Sequence, residues 1–185
     1  MSFPQAFGDL FLEGRVPVVI AGTHGKTTTT SLTTWLLHGA GARPGMLVGG
    51  VHRNFDAAYL LQGGAGDPFV VEGDEYDTAY FDKGPKFLHY RPAICVLNNI
   101  EFDHADIYDD LDEIIENFDR LMDVLGPETV LLANLDDPLV MQRAARAGGR
   151  VVTYGFGADA TLRATDVQPD ADGCTFTFHR PGAAP

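Results

Sequence analysis

The stretch "AGTHGKTTTT" (21–30) holds the residue types that a bound phosphate needs, in the order it needs them. Gly22 and Gly25 allow a tight turn whose backbone N–H groups converge on an anion, and Thr23 and His24 contribute two more of them. Lys26 adds a positive charge that reaches the β- and γ-phosphates of a nucleotide such as ATP. The Thr27 hydroxyl suits a Mg²⁺ ion carried by those phosphates, and Thr28 can bond a further phosphate oxygen. Threonine is a mediocre helix former, so four in succession at a helix start read as side chains chosen for a ligand rather than for propensity. Thr29 and Thr30 lack such a task and fall to helix initiation or packing. The spacing is shorter than the common GxxxxGK[ST] loop, because Ile20 stands where that pattern has its first glycine.

A phosphate loop needs a carboxylate for its metal, delivered from the end of a neighbouring strand. "FVVEGDEYD" (69–77) supplies Glu72 at the end of an apolar run, then Asp74, Glu75 and Asp77. Glu72 is the metal candidate, while Asp74 and Asp77 read equally well as a solvated turn. "LNNIEFDHADIYDD" (97–110) places Asn99, Glu101, Asp103 and His104 just past another apolar run, at the ligand-binding edge of a parallel sheet. Asn99 is a nucleotide-binding candidate, and His104 is a metal candidate through neutral imidazole. Lys26, Glu72 and His104 form the candidate catalytic set. The acids Asp109, Asp110, Asp112 and Glu113 fit a helix N-terminus instead.

These side chains meet only if the elements beneath them alternate between strand and helix. "RVPVVIAG" (15–22) reads as a buried strand, and a helix follows from Lys26 to His38, ending at Gly39. "GMLVGG", "PFVVEG" and "PAICVLNNI" are short apolar runs suited to central parallel strands. "DDLDEIIENFDRLMDVLG" aligns Leu111, Ile114, Ile115, Phe118, Leu121, Met122 and Leu125 on one helical face, with Asp110 and Glu113 at capping-box spacing. "TVLLAN", "DPLVMQRAARAGG" and "RVVTYG" continue as strand, helix and strand. The expectation is a doubly wound α/β fold with a mostly parallel sheet over 15–157. A small antiparallel sheet begins over 158–185, where "ATLRATDVQPDADGCTFTFHR" alternates around Asp172-Gly173.

The 185 residues suffice for one domain with its own core. Apolar residues make up 45% of the chain, mean hydropathy is near zero, and no apolar run reaches the length of a membrane span. With 26 acidic against 13 basic residues the net charge is −13, which argues against a nucleic-acid surface. It does not argue against a nucleotide, whose phosphates are held locally. Cys95 and Cys174 lie far apart, and the first residues show no basic-then-apolar leader, so a reduced, cytoplasmic protein is expected. Lysine occurs only at 26, 83 and 86.

Taken together, "AGTHGKTTTT", "VVEGDEYDTAYFD" and "LNNIEFDHADIY" resemble the ATP-binding central domain of the Mur ligases, the bacterial ATP-dependent amide-forming enzymes of peptidoglycan synthesis. The resemblance covers 15–156, and "FDKGPKFLHYRP" is most similar to the murein-recycling branch. It implies that the muramyl carboxylate of UDP-N-acetylmuramate is phosphorylated by ATP and that the tripeptide L-alanyl-γ-D-glutamyl-meso-diaminopimelate supplies the attacking amine. It further implies two Mg²⁺ ions, one on Thr27 and Glu72 and one on His104, alone or sharing Glu72, and a contact of Asn54 in "GGVHRN" with the sugar nucleotide. The carbamylated lysine of several relatives has no counterpart after Lys86, as in the muramate–L-alanine branch, which is the nearest alternative. Family members carry a UDP-binding domain before this segment and a further domain after it. Both are expected to be missing from these residues, leaving a fragment inactive on its own. A different P-loop kinase or ATPase, or a noncatalytic nucleotide-binding module, is the remaining alternative.

Overall fold

A computed structural model of the chain describes residues 1–102, 110–171 and 173–182. In chain order come α1 (Phe3–Phe7), which runs on into one π-helical turn, β1 (Val16–Ala21), α2 (Lys26–Gly39), β2 (Gly45–His52), β3 (Ala57–Leu60) and β4 (Pro68–Gly73). The short β5 (Asp77–Ala79) and β6 (Asp82–Pro85) follow, then a 3₁₀ turn, β7 (Ile94–Leu97), α3 (Leu111–Val124), β8 (Val130–Asn134), α4 (Pro138–Ala144), β9 (Arg150–Gly155), β10 (Leu162–Pro169) and β11 (Cys174–His179).

Among the described residues, nine strands form one sheet in the order β11-β10-β9-β8-β7-β1-β4-β2-β3, and β5 pairs with β6 apart from it. Every pairing from β2 through β10 is parallel, and the two edges are closed by the antiparallel partners β3 and β11. The mostly parallel, doubly wound expectation holds. β1 sits at the centre between β4 and β7, and its Val19, Ile20 and Ala21 are wholly buried. Helices cover both faces, which is why its sequence is continuously apolar rather than alternating. Val19 and Ala21 face the larger core with Phe69, Phe118, Leu121 and Leu131, while Val18 and Ile20 meet Val70, Val96 and Leu37 on the side of α2.

The amphipathic reading of α3 is met residue by residue. The Asp110 side chain accepts the Glu113 N–H at 3.1 Å as N-cap, and Ile114, Phe118, Leu121 and Met122 are buried at helical spacing. Phe118 stacks on Phe87 at 6.0 Å, so this helix is pinned over the 3₁₀ turn. Asp109 lies outside the described residues. The C-terminal hairpin is present as well, closed by Asp170 N–H donating to the Gly173 carbonyl at 2.9 Å. It extends the main sheet, because Leu162 and Arg163 pair with Tyr154 and Gly155 of β9.

Two outcomes follow from this packing. Phe118→Ala should lower unfolding free energy by about 3–5 kcal/mol in a denaturant titration, the usual loss for an aromatic removed from a closed core. A change below about 1 kcal/mol would mean that the site collapses freely. Cys95 is wholly buried and burial pushes its thiol up to about 12, whereas Cys174 is exposed. A thiol reagent at mildly alkaline pH should therefore label only Cys174 in the native chain and both thiols after unfolding.

Candidate active site

Strand β1 ends against its neighbours, and the chain must reverse direction before α2 can begin. Gly22 and Gly25 make that possible, with φ of +133° and +78°. A Cβ on Gly22 would lie 3.1 Å from the Cβ of Asn98 and from the Asn99 amide, so the loop also depends on close backbone approach. The segment after β7 clamps the loop from the other side. Asn98 N–H donates to the Ala21 carbonyl at 3.0 Å and Thr23 N–H to the Asn99 carbonyl at 3.1 Å. The Asn99 side chain brackets His24, accepting its N–H at 2.7 Å and donating to its carbonyl at 3.3 Å. The Thr23 hydroxyl accepts the Glu101 N–H and donates to the Glu101 carbonyl, at 3.0 and 3.2 Å. Thr23 and Asn99 thus serve the loop's shape first.

Lys26 folds back over this loop with its three N–H bonds directed to the Gly22 carbonyl at 2.7 Å, the Thr23 carbonyl at 3.1 Å and Glu75 Oε2 at 2.9 Å. The pair is nearly dry: the side chains are 10% and 1% exposed. Burial raises the Glu75 carboxyl above its usual range, and the Lys26 ammonium pulls it part of the way back. Asn117 of α3 fixes the Glu75 backbone, donating to its carbonyl at 3.1 Å. Sequence reasoning named Glu75 only as a member of the acidic cluster. The signal was its place in that cluster, but which acid meets the lysine is decided by the turn after Gly73. Asp74 and Asp77 are taken by Lys86 and Lys83, each at 2.7 Å.

Thr27 and Thr28 are exposed at the start of α2, where the hydroxyls are open to a ligand. Glu72 comes from the end of β4, in register with Ile20 of β1. Consecutive glycines of β2 stand over both groups: a Cβ on Gly49 would be 3.1 Å from Glu72 Oε2, and one on Gly50 would be 3.5 Å from the Thr27 methyl. Gly49 thus leaves room beside Glu72 and Gly50 leaves room beside Thr27. Glu72 Oε1 is buried with no hydrogen-bond partner among the described residues, a cost that a cation would remove. A hydroxyl and one carboxylate suit Mg²⁺, which keeps most of its shell as water and phosphate. Among the described residues no cluster of three or more His, Cys, Asp or Glu could hold a metal by itself, and His104 lies outside them.

Asn54 lies across a cleft of about 370 Å³ from Thr27 and Thr28, with Trp35 and Arg53 on its walls. His52 anchors that wall: its Nε2 meets the Ser31 carbonyl at 3.0 Å and its Nδ1 accepts the Asn54 N–H at 3.1 Å, which makes Nε2 the protonated nitrogen. Thr30 is buried in the helix–sheet contact, and the Thr29 hydroxyl accepts from Asn98 Nδ2 at 3.1 Å. Asn98 continues outward to Tyr154, whose hydroxyl donates to Asn98 Oδ1 at 3.0 Å, and to Asn134, whose Nδ2 donates to the Asn98 carbonyl at 2.9 Å. Burial, with the Asp137 charge, pushes the Tyr154 phenol up to about 12, so it remains a donor at neutral pH. Beyond Tyr154 opens a largely apolar cavity of about 610 Å³ lined by Asn134, Asp136, Phe156, Phe176 and Phe178.

The chain is 50% identical over 125 residues to the UDP-N-acetylmuramate–L-alanyl-γ-D-glutamyl-meso-2,6-diaminoheptandioate ligase of Escherichia coli K12, a match covering 68% of this chain and 27% of that protein. It is 39% identical over 183 residues to the UDP-N-acetylmuramate–L-alanine ligase of Thermobifida fusca, covering 97% of this chain and 36% of that one. The crystal structure of the tripeptide ligase from Neisseria meningitides superposes with a TM-score of 0.83 at 36% identity, over 97% of this chain and 56% of that chain. The chain thus spans about a quarter to a third of the length of these curated relatives. A model of the Mur ligase middle domain matches residues 20–184, a span that takes in the loop of Lys26, the end of β4 and the terminal hairpin. On that match the chain belongs to the Mur ligase middle-domain family.

Proposed function

We propose that this chain is the ATP-binding part of a bacterial, cytoplasmic ligase that joins L-alanyl-γ-D-glutamyl-meso-diaminopimelate to UDP-N-acetylmuramate. The observation that carries the reading is the loop itself, in which a nearly buried lysine and exposed Thr27 and Thr28 hydroxyls follow β1, whose parallel neighbour β4 carries Glu72 at its end. The choice of tripeptide over L-alanine rests on the relatives, where two tripeptide ligases match at 50% and 43% against 42% and 39% for two alanine ligases.

In this reading a muramyl carboxylate oxygen attacks the γ-phosphorus of ATP, ADP departs, and an acyl phosphate results. The tripeptide amine then attacks the acyl carbon, and inorganic phosphate leaves with the original carboxylate oxygen. Lys26 neutralises charge on the transferring phosphoryl group, while the N–H groups of the loop and of the first turn of α2 hold the phosphate oxygens. Thr27 and Glu72 would hold Mg²⁺, which supplies charge neutralisation and alignment of the phosphates. His104 is proposed for a second Mg²⁺. Asn54, which lines the same cleft as Thr28, is proposed to meet the sugar nucleotide, and Asn99 to act by holding the loop that meets the ATP phosphates.

The test is product formation by the full-length protein supplied with UDP-N-acetylmuramate, ATP, Mg²⁺ and either tripeptide or L-alanine. An amide product with tripeptide alone is expected. Transfer of L-alanine would move the protein to the other branch, and ATP hydrolysis without any amide would remove it from the ligases. In the same assay Lys26→Ala should lower kcat by about 10²–10³-fold with the fold intact, the usual loss when one charge-stabilising group is removed. Glu72→Gln should raise the Mg²⁺ concentration for half-maximal rate by about tenfold or more, because one anionic ligand is lost. An unchanged Mg²⁺ requirement would take Glu72 out of the metal site.

A further inference from the structure

The three N–H bonds of Lys26 are all spent before any nucleotide arrives, on two neutral carbonyls and one carboxylate. A phosphate can be received only if at least one of them is released. The bond to Glu75 is the charge-assisted one and is about twice as strong as a bond to a peptide carbonyl. It is also nearly dry, with the Glu75 side chain 1% exposed. The bonds to Gly22 and Thr23 are therefore the ones that yield. We propose that Glu75 is the positioning residue of the phosphate site: it keeps its bond to Lys26 when ATP binds, and so aims the other two N–H groups of the ammonium at the transferring phosphoryl group.

The surroundings favour a fixed tether over a pair held for stability. A buried ion pair returns in attraction about what it loses in hydration, so it adds little to folding by itself. Glu75 nevertheless has its backbone braced by Asn117 from α3, and the residues beside it are held by Asp74–Lys86 at 2.7 Å and by the Lys86 ammonium over the Tyr76 ring at 4.6 Å. Lys26, at the far end of the pair, starts α2 directly after the loop. A tether so mounted restricts Nζ where phosphoryl transfer is sensitive to misplacement of about 1 Å. The same carboxylate places a negative charge near the bound triphosphate. It therefore weakens ground-state binding of ATP while ordering the transition state.

This inference rests on the phosphate-site reading above, and its test separates the two. In the full-length protein, Glu75→Gln keeps the shape but reduces the tether to a neutral acceptor. Its dissociation constant for the ATP analogue AMP-PNP with Mg²⁺ should fall by about five- to tenfold, the order expected for one unit charge removed beside a phosphate. Its kcat should fall by about ten- to a hundredfold. Glu75→Asp keeps the charge and shortens the reach, so binding should stay within about twofold of wild type while kcat falls less than in Glu75→Gln. Weaker nucleotide binding in Glu75→Gln, or a kcat within twofold of wild type in both variants, would overturn the proposal. Failure of the wild-type protein to bind Mg²⁺ and AMP-PNP would instead bring down the phosphate-site reading and the tether with it.

Discussion

A lysine ammonium removed from water must be matched by acceptors, or it neutralises or unfolds its surroundings. In this protein that constraint falls on Lys26, 10% exposed and set among backbone N–H groups that already make the loop electropositive. Two carbonyls of the loop and the carboxylate of Glu75 meet the demand. Much of the remaining architecture can be traced to holding those acceptors still. β1 carries the loop at the centre of the sheet, where both flanks and both faces are filled, and the segment after β7 stitches Ala21, Thr23 and His24 in place. α3, pinned by Phe118 on Phe87, delivers Asn117 to the Glu75 backbone.

The parallel sheet explains why groups distant in sequence gather at one edge. β1, β4 and β7 run in the same direction with Ile20, Glu72 and Val96 side by side, so their carboxyl ends release the loop of Lys26, the carboxylates at 72 and 75, and the Asn98–Asn99 pair at one place. Glycine does the rest. Gly49 lets β2 pass close to the Glu72 carboxylate and Gly50 close to the Thr27 methyl, at the expense of strand propensity. Glu72 Oε1, at the end of β4, is buried without a hydrogen-bond partner among the described residues, which suits a metal carboxylate. Local strain of this kind is tolerated where a ligand relieves it.

The central strands, α2, α3 and the terminal hairpin were legible in the sequence because each has a local cause: continuous apolar runs, a capping aspartate with helical periodicity, or an Asp-Gly turn. The phosphate loop was legible because few other functions call for Gly, Lys and Thr in that order. What escaped lacked a local cause. β3, β5 and β6 are three or four residues long, too short for any period to show. The attachment of β10 to β9 rests on only two residue pairs. Glu75 was hidden among four neighbouring acids, since only the path of the chain beyond Gly73 decides which one turns inward. Asn99 carried a ligand-binding expectation on its position alone, and the structure shows its amide closed on the His24 backbone. The expected role of His104 falls outside the described residues.

The central claim is that Lys26, Thr27 and Glu72 receive the phosphates and metal of one nucleotide. A crystal structure of the protein with Mg²⁺ and a non-hydrolysable ATP analogue tests it most directly. The account predicts phosphate oxygens within hydrogen-bond reach of Lys26 Nζ and of the loop N–H groups, with the cation between the Thr27 hydroxyl and the side of Glu72. A nucleotide bound elsewhere, with Lys26 still closed on Gly22, Thr23 and Glu75, would contradict it.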